Sequence, residues 1–313
     1  MVTPEDVLVT LSNEGYLKRT SKLSFTRSGG ELENTGVKEG DFVRFLLDVN
    51  TIESLLIFTQ KGQCYVLPIH QIPEYKWKEN GTAIVNIIPI AKEDRIANVI
   101  PVKGFEDPSK SLVFVTRKGQ VKRTELKEYM TNRSNGIVAC KLGHQDEVLT
   151  VHLSDNTKEI LLVSKQGMSI RFREEEVNPM GRAAAGVRGM QLKDDDEIIS
   201  AEWIYGDEGE VLVISDLGYA KRSLVVDYPI QGRGGKGILT FEFKEGKRVR
   251  PNGTAIIRIF IVKMDYAITA IMSNGERKRF STETAPLEDR KSSGKQLIPV
   301  TKTESIMHVL RFP

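Results

Sequence analysis

Lysine–arginine pairs recur in this sequence at a fixed distance from a glycine, and such pairs can neutralise phosphate. The residue four positions after Gly15, Gly62, Gly119, Gly167, Gly218 and Gly275 is Arg19, Val66, Arg123, Arg171, Arg222 and Arg279. Five of the six are arginine, and four of those follow a lysine: Lys18, Lys122, Lys221 and Lys278. A second basic set lies in glycine- and alanine-rich loops further along each repeat. It comprises Arg133, Arg182, Arg188, Arg233, Lys236, Lys291 and Lys295. Small neighbours let backbone approach a phosphate closely, and arginine on such a loop can clamp a phosphate oxygen pair. If rotation relates the repeats, equivalent positions form a ring of positive charge on a protein whose net charge is only +3. Lys and Arg on such a ring would grip a duplex backbone without reading its sequence. The alternative is that each pair is a solvated edge charge that protects a strand.

Other chemistries find no constellation. The four histidines (His70, His144, His152, His308) are scattered, and the acidic triplet Asp194, Asp195, Asp196 reads as a loop. Cys64 and Cys140 lie on strand-like segments with no C-x-x-C or Cys/His spacing, so reduced buried thiols are expected and no metal. The letters Gly232, Gly234 and Gly237 fit G-x-G-x-x-G, but a strand-like ILTFEF follows where a dinucleotide site needs a helix. A Walker loop fails because Gly237 follows Lys236. No catalytic residue and no cofactor are expected. The longest uncharged apolar stretch, Gly81 to Ala91, is far short of the ~18 residues of a membrane helix. The N-terminus lacks a basic-then-apolar signal, so a cytoplasmic location and no membrane partner are expected.

The elements that position these residues repeat six times. Each repeat holds an apolar β run, a short polar turn ending in glycine, and a second strand, as in LVFVTRKGQVKR (112–123) and VLVISDLGYAKR (211–222). The turn glycines are 47 to 57 residues apart. A second glycine follows each hairpin (Gly36, Gly81, Gly136, Gly186, Gly237, Gly294), then an acidic residue and a further apolar strand such as IISAEWI (198–204). Four-stranded units at this period are the signature of propeller blades, and stacking around an axis buries faces that one repeat cannot bury alone. The first and last repeats carry the hairpin as fully as the middle ones, which favours a closed ring over a capped solenoid. The expectation is an all-β, six-bladed, propeller-like disc in one domain, 1–313. Its approximate blades are 1–50, 51–105, 106–153, 154–206, 207–263 and 264–313. An interaction propeller of the WD or kelch kind is disfavoured by 7% aromatic content and the missing WD dipeptide.

The seven residues Gln231, Gly232, Arg233, Gly234, Gly235, Lys236 and Gly237 resemble the gyrase A box, Q-R-R-G-G-K/R-G, with Gly232 in place of its first arginine. The hairpins at Gly15 and Gly218 and the stretch PMGRAAAGVRGMQL (179–192) also resemble the C-terminal domain of the gyrase and topoisomerase IV A subunits. The resemblance covers all six repeats. It implies a β-pinwheel whose blades exchange a strand with their neighbours and whose basic rim binds and bends double-stranded DNA near the nucleoid. It also implies partners in an ATPase B subunit and in the rest of the A subunit, with the strand-cleaving tyrosine outside this chain. The first-repeat loop FTRSGGELENTG (25–36) keeps Arg27, Gly29 and Gly30 but places Glu31, Leu32 and Glu33 where the box ends basic. Those carboxylates should repel phosphate locally. The degeneracy resembles the topoisomerase IV member of the family (ParC/GrlA type) more than the gyrase member.

Overall fold

A hydroxyl three residues before the turn glycine builds five of the six hairpins, and in the first four an aspartate before the third strand joins it. A computed structural model describes residues 2–311. The hydroxyls of Ser12, Thr59, Thr116, Ser164 and Ser215 accept the backbone N–H four residues on, at 3.0–3.2 Å. Asp41, Asp94, Asp146 and Asp196 each accept an N–H from the hairpin turn, at 2.9–3.1 Å. Asp196 thus belongs to this turn device. The glycines adopt positive φ, from +74° at Gly218 to +87° at Gly15, which an L side chain rarely does.

Repeat one supplies β1 (Asp6–Ser12), β2 (Tyr16–Ser21), the helix α1 (Lys22–Arg27) and β3 (Val43–Asn50). Repeat two supplies β4 (Ser54–Thr59), β5 (Gln63–Pro68), the short β6 (Thr82–Ala83) and β7 (Ile96–Val102). Repeat three gives β8 (Ser111–Thr116), β9 (Gln120–Glu125), β10 (Ile137–Val138) and β11 (Val148–Ser154). Repeat four gives β12 (Glu159–Ser164), β13 (Met168–Arg173), β14 (Val187–Arg188) and β15 (Ile198–Ile204). Repeat five gives β16 (Glu210–Ser215), β17 (Tyr219–Leu224), β18 (Ile238–Leu239) and β19 (Ile256–Val262). Repeat six gives β20 (Ala267–Met272), β21 (Arg277–Ser281), β22 (Lys295–Gln296) and β23 (Ile306–Leu310).

The sheets do not coincide with the repeats. Their orders are β3-β1-β2-β6, β10-β5-β4-β7, β11-β8-β9-β14, β15-β12-β13-β18, β19-β16-β17-β22 and β21-β20-β23. Each two-residue strand therefore leaves its own repeat and completes the outer edge of the blade before it. The six-bladed, all-β architecture is as expected, and so is the strand exchange. The blade boundaries differ from the repeat boundaries by this donated strand. Among the described residues the sixth blade holds three strands, β21-β20-β23.

Why the ring forms follows from the apolar faces. Five clusters of buried side chains lie between successive blades, for example Leu56 and Phe58 of blade two against Leu112 and Phe114 of blade three. Between blade six and blade one no such cluster occurs among the described residues. The seam is instead made by Arg277 Nη2 donating to the Asp41 carbonyl (3.3 Å), by Arg279 on Glu33 (2.8 Å), and by the Phe42 and His308 rings 4.9 Å apart.

Candidate nucleic-acid interface

The repeated lysine is not on the surface. Lys18, Lys122 and Lys221 are each at most 1% exposed. The Lys18 ammonium donates to the carbonyls of Trp77 (2.6 Å) and Glu79 (2.5 Å), in the loop that leads into the donated strand β6. Lys122 donates to Ala139 (2.5 Å) and Arg182, and Lys221 to Asp289 (2.9 Å) and Arg290. Each lysine thus holds the loop that its neighbour sends over. Burial lowers all three to about 8.

The repeated arginine works beside it. Arg19 Nε donates to the Ile72 carbonyl (3.2 Å), Arg123 Nε to Val177 (2.6 Å) and Arg222 Nε to Ala285 (2.8 Å). Arg171, 2% exposed, donates to Tyr228 and is paired with Glu159 (2.6 Å) and Asp207 (2.8 Å). Arg222 is paired with Glu210 (2.7 Å) and Arg19 with Glu74 (3.3 Å). In each case the guanidinium fastens the turn that starts the next repeat's donated loop. The expectation that Lys18, Arg19, Lys122, Arg123, Arg171, Lys221 and Arg222 face a phosphate backbone is therefore corrected. Lys18, Lys122, Lys221 and Arg171 are buried with their charges on protein partners, and Arg19, Arg123 and Arg222 are half-buried with Nε on a backbone carbonyl, so a repeated need to latch blade to blade explains their register. In the sixth repeat Lys278 lies between Glu276 and Glu304, and Arg279 is spent on Glu33.

The second basic set is placed differently. Arg133, Arg188, Lys236, Lys291 and Lys295 are exposed, and none has a side-chain partner among the described residues. Arg188 and Lys295 lie on a donated strand, the outermost of its blade, and Arg133, Lys236 and Lys291 lie on the loop that leads into one. Arg133 marks the rim of blade two, Arg188 that of blade three, Lys236 that of blade four, and Lys291 and Lys295 that of blade five. Arg182 and Arg233 are half-buried. Arg182 reaches the Val138 carbonyl, and Arg233 donates to the carbonyls of Glu176 (3.3 Å) and Arg188.

The box-like loop is built around backbone contacts. Gln231 donates its N–H to the Arg171 carbonyl (2.7 Å) and Gly234 to Gly189 (2.8 Å). The Gly235 carbonyl accepts from Gln191 (2.8 Å). A Cβ on Gly237 would sit 2.3 Å from the Ser169 carbonyl oxygen. Of the seven residues, Gly232 and Lys236 are exposed, while the other five seat blade five's donated loop on blade four.

The sequence reading missed two further cation sets. Lys76 and Lys78 are exposed on the loop leading to β6, at the rim of blade one. Their signal was their place before Gly81. Exposed Lys244, Lys247, Arg248 and Arg250 follow β18, and the run KEGKRVR marks them in the sequence.

The first-repeat loop is folded rather than open. Trp77, fully buried, donates Nε1 to the Glu31 carbonyl (3.0 Å) and meets Phe25 edge-on at 4.8 Å. Glu33 bridges to blade six instead of standing free. Among the described residues no group of three His, Cys, Asp or Glu could hold a metal. Cys64 and Cys140 are buried free thiols, and burial raises both. No helix is long and apolar enough to cross a membrane.

Comparison with known proteins bears on this geometry. The A subunit of DNA topoisomerase 4 from Bacillus subtilis is 35% identical over 94% of this chain. The A subunit of DNA gyrase from Mycolicibacterium smegmatis is also 35% identical, over 99% of it. The chain spans only 36% and 37% of those two relatives. A crystal structure of the C-terminal domain of DNA topoisomerase IV superposes with a TM-score of 0.88 at 32% identity, covering 99% of this chain and 94% of that one. A DNA gyrase A C-terminal domain superposes at 0.72 with 22% identity, covering 97% and 99%, which supports the fold alone. The profile of the DNA gyrase C-terminal domain, beta-propeller, matches residues 6–29, 53–103, 110–155, 158–202 and 209–249. A six-bladed exchange of outer strands, the profile covering more than half the chain and relatives at 35% identity together place this chain in the DNA gyrase C-terminal beta-propeller family, whose members form the C-terminal domain of type IIA topoisomerase A subunits.

Proposed function

We propose that this chain holds a double-stranded DNA segment along its rim, bends it, and presents it to the strand-passage core of a topoisomerase IV. One observation carries the reading: unpartnered cations stand on the outermost strand or its approach in five consecutive blades, from Lys76 and Lys78 to Lys291 and Lys295. Bending 20–30 base pairs by 40–90° costs on the order of 1–6 kcal/mol, so several phosphate contacts must offset it. Donors at the rim meet phosphate without the desolvation that a recessed cation would suffer. The proposed partners are the ATPase B subunit together with the remainder of the A subunit, and strand cleavage is performed outside this chain.

The first-repeat loop favours topoisomerase IV over gyrase. Its box position is acidic, and Glu33 is tied to Arg279, so blade one offers less cation to a full wrap. Gyrase is the second reading, favoured by an equal 35% identity. Titrating random duplex across a salt series tests the rim. The logarithm of the affinity should fall against log salt with a slope of about −0.9 per phosphate neutralised. Lys236→Gln with Lys291→Gln should reduce that slope by about 2 and leave the melting temperature unchanged. A salt-independent affinity overturns the rim. Strong chiral writhe on a ligated nicked circle would favour gyrase.

A further inference from the structure

The inner strands β3, β7, β11, β15, β19 and β23 surround an axial cavity of about 500 Å³. Its lining carries three guanidinium groups, Arg44, Arg258 and Arg311, and a single carboxylate, Glu202. The only other titratable lining groups are Tyr266 and His308, and burial together with Arg44 lowers His308, leaving it neutral at pH 7. With Glu202 ionised, the cavity therefore holds two positive charges in excess.

None of the three arginines is fully used. Arg44 donates Nη1 to the Ile96 carbonyl (2.7 Å) and Nη2 to Ala97 (3.2 Å), leaving three of its five N–H donors and meeting no carboxylate among the described residues. Arg258 stands 3.8 Å from Glu202, and its buried Nε has no hydrogen-bond partner. Arg311 lies over the Tyr266 ring, 3.7 Å from its centroid. Like charges crowded between protein walls are costly unless an anion joins them. Consistent with that crowding, Arg44 is lowered to about 10 by burial and by Arg258 and Arg117, yet it stays charged at neutral pH.

We propose that the axial cavity is a binding site for a small free oxyanion of the sulfate or phosphate class, held by Arg44, Arg258 and Arg311. Guanidinium forks match the spacing of tetrahedral oxyanion oxygens. The site is independent of the DNA rim, because its residues lie on the innermost strands and the rim cations on the outermost strands or the loops that lead into them.

Glu202 gives the site a pH dependence. It faces Arg258 on β19, with Arg311, His308 and Tyr266 on the same cavity wall. Burial raises it to about 7 against the opposing pull of Arg258 and Arg311. Below that value the one opposing charge is gone, so the anion binds more tightly as pH falls.

The test is calorimetric titration of the chain with sodium sulfate at constant ionic strength, at pH 6 and pH 8. Sulfate keeps its charge over this range. One saturable site is expected, severalfold tighter at pH 6. Arg258→Gln should weaken it about tenfold or more, and Arg258→Lys less. Glu202→Gln should bind equally tightly at both pH values. The rim variant Lys291→Gln should leave sulfate binding unchanged while weakening DNA. Absent or unsaturable binding overturns the proposal, as does an equal loss in the rim variant. Should Arg258→Gln not fold, Glu202→Gln still decides, because it must tighten binding at pH 8.

Discussion

Each buried lysine of the repeated pairs closes one donated loop, and removing its ammonium leaves one backbone carbonyl, that of Glu79, Arg182 or Arg290, without its donor. Lys122→Met keeps most of the side-chain volume but orphans the carbonyl of Arg182, while Ala139 keeps the Tyr129 hydroxyl as its donor. A buried unsatisfied acceptor costs about 1–3 kcal/mol, so this variant should melt several degrees lower. Its DNA salt slope should equal that of the unaltered chain. A changed slope with an unchanged melting temperature would return Lys122 to the phosphate contacts. The register of the Lys–Arg pairs was fully legible in the sequence; their direction was not. Periodicity establishes that Lys18, Lys122 and Lys221 share a role, but a charged residue at period two on a hairpin strand reads the same whether it meets solvent or a neighbour's carbonyls. The rim loops were legible because small residues around Arg133, Arg188, Lys236 and Lys291 marked exposed, closely approached backbone.

At the scale of the element, the donated strand joins blade to blade, and it is only two residues long. That length explains why spacing could not reveal the exchange: two residues have no alternation to detect. What does leave a trace is the second glycine of each repeat, which lets the incoming backbone lie against the host hairpin. Gly237 shows the requirement most clearly, with φ +73° and a Cβ position 2.3 Å from the Ser169 carbonyl oxygen. Gly237→Ala must therefore push β18 off β13, where Met168 pairs with Leu239 and Ser169 with Ile238. Strain of this kind costs about 1–3 kcal/mol, to which lost ladder bonds add. The expected result is a lower melting temperature with faster amide exchange confined to Ile238, Leu239 and the box-like loop. Because Lys236 sits on that loop, DNA affinity should fall as well, whereas Gly232→Ala, with nothing within 4 Å of its Cβ, should be neutral in both measurements.

In the whole molecule the ring is held unequally. Five junctions are sealed by apolar clusters, and the sixth by the Arg277–Asp41 hydrogen bond, the exposed Arg279–Glu33 pair and one contact between the Phe42 and His308 rings. An exposed ion pair is worth roughly 0–1 kcal/mol, far less than a buried cluster. Among the described residues the outer strand of blade six, β21, pairs with β20 alone, whereas β17, its counterpart in blade five, is covered by β22. Local opening follows such differences in burial and pairing. Amides of Arg277–Ser281 should exchange faster than those of Tyr219–Leu224, and high salt, by screening the Arg279–Glu33 pair, should widen the gap. Glu33→Lys should open the seam further by setting a cation against Arg279, while adding charge to the rim of blade one. Equal protection of β17 and β21 would mean that the seam is as strong as the other five junctions. A seam that yields first would let the rim change its curvature at one point, between the first blade and the last.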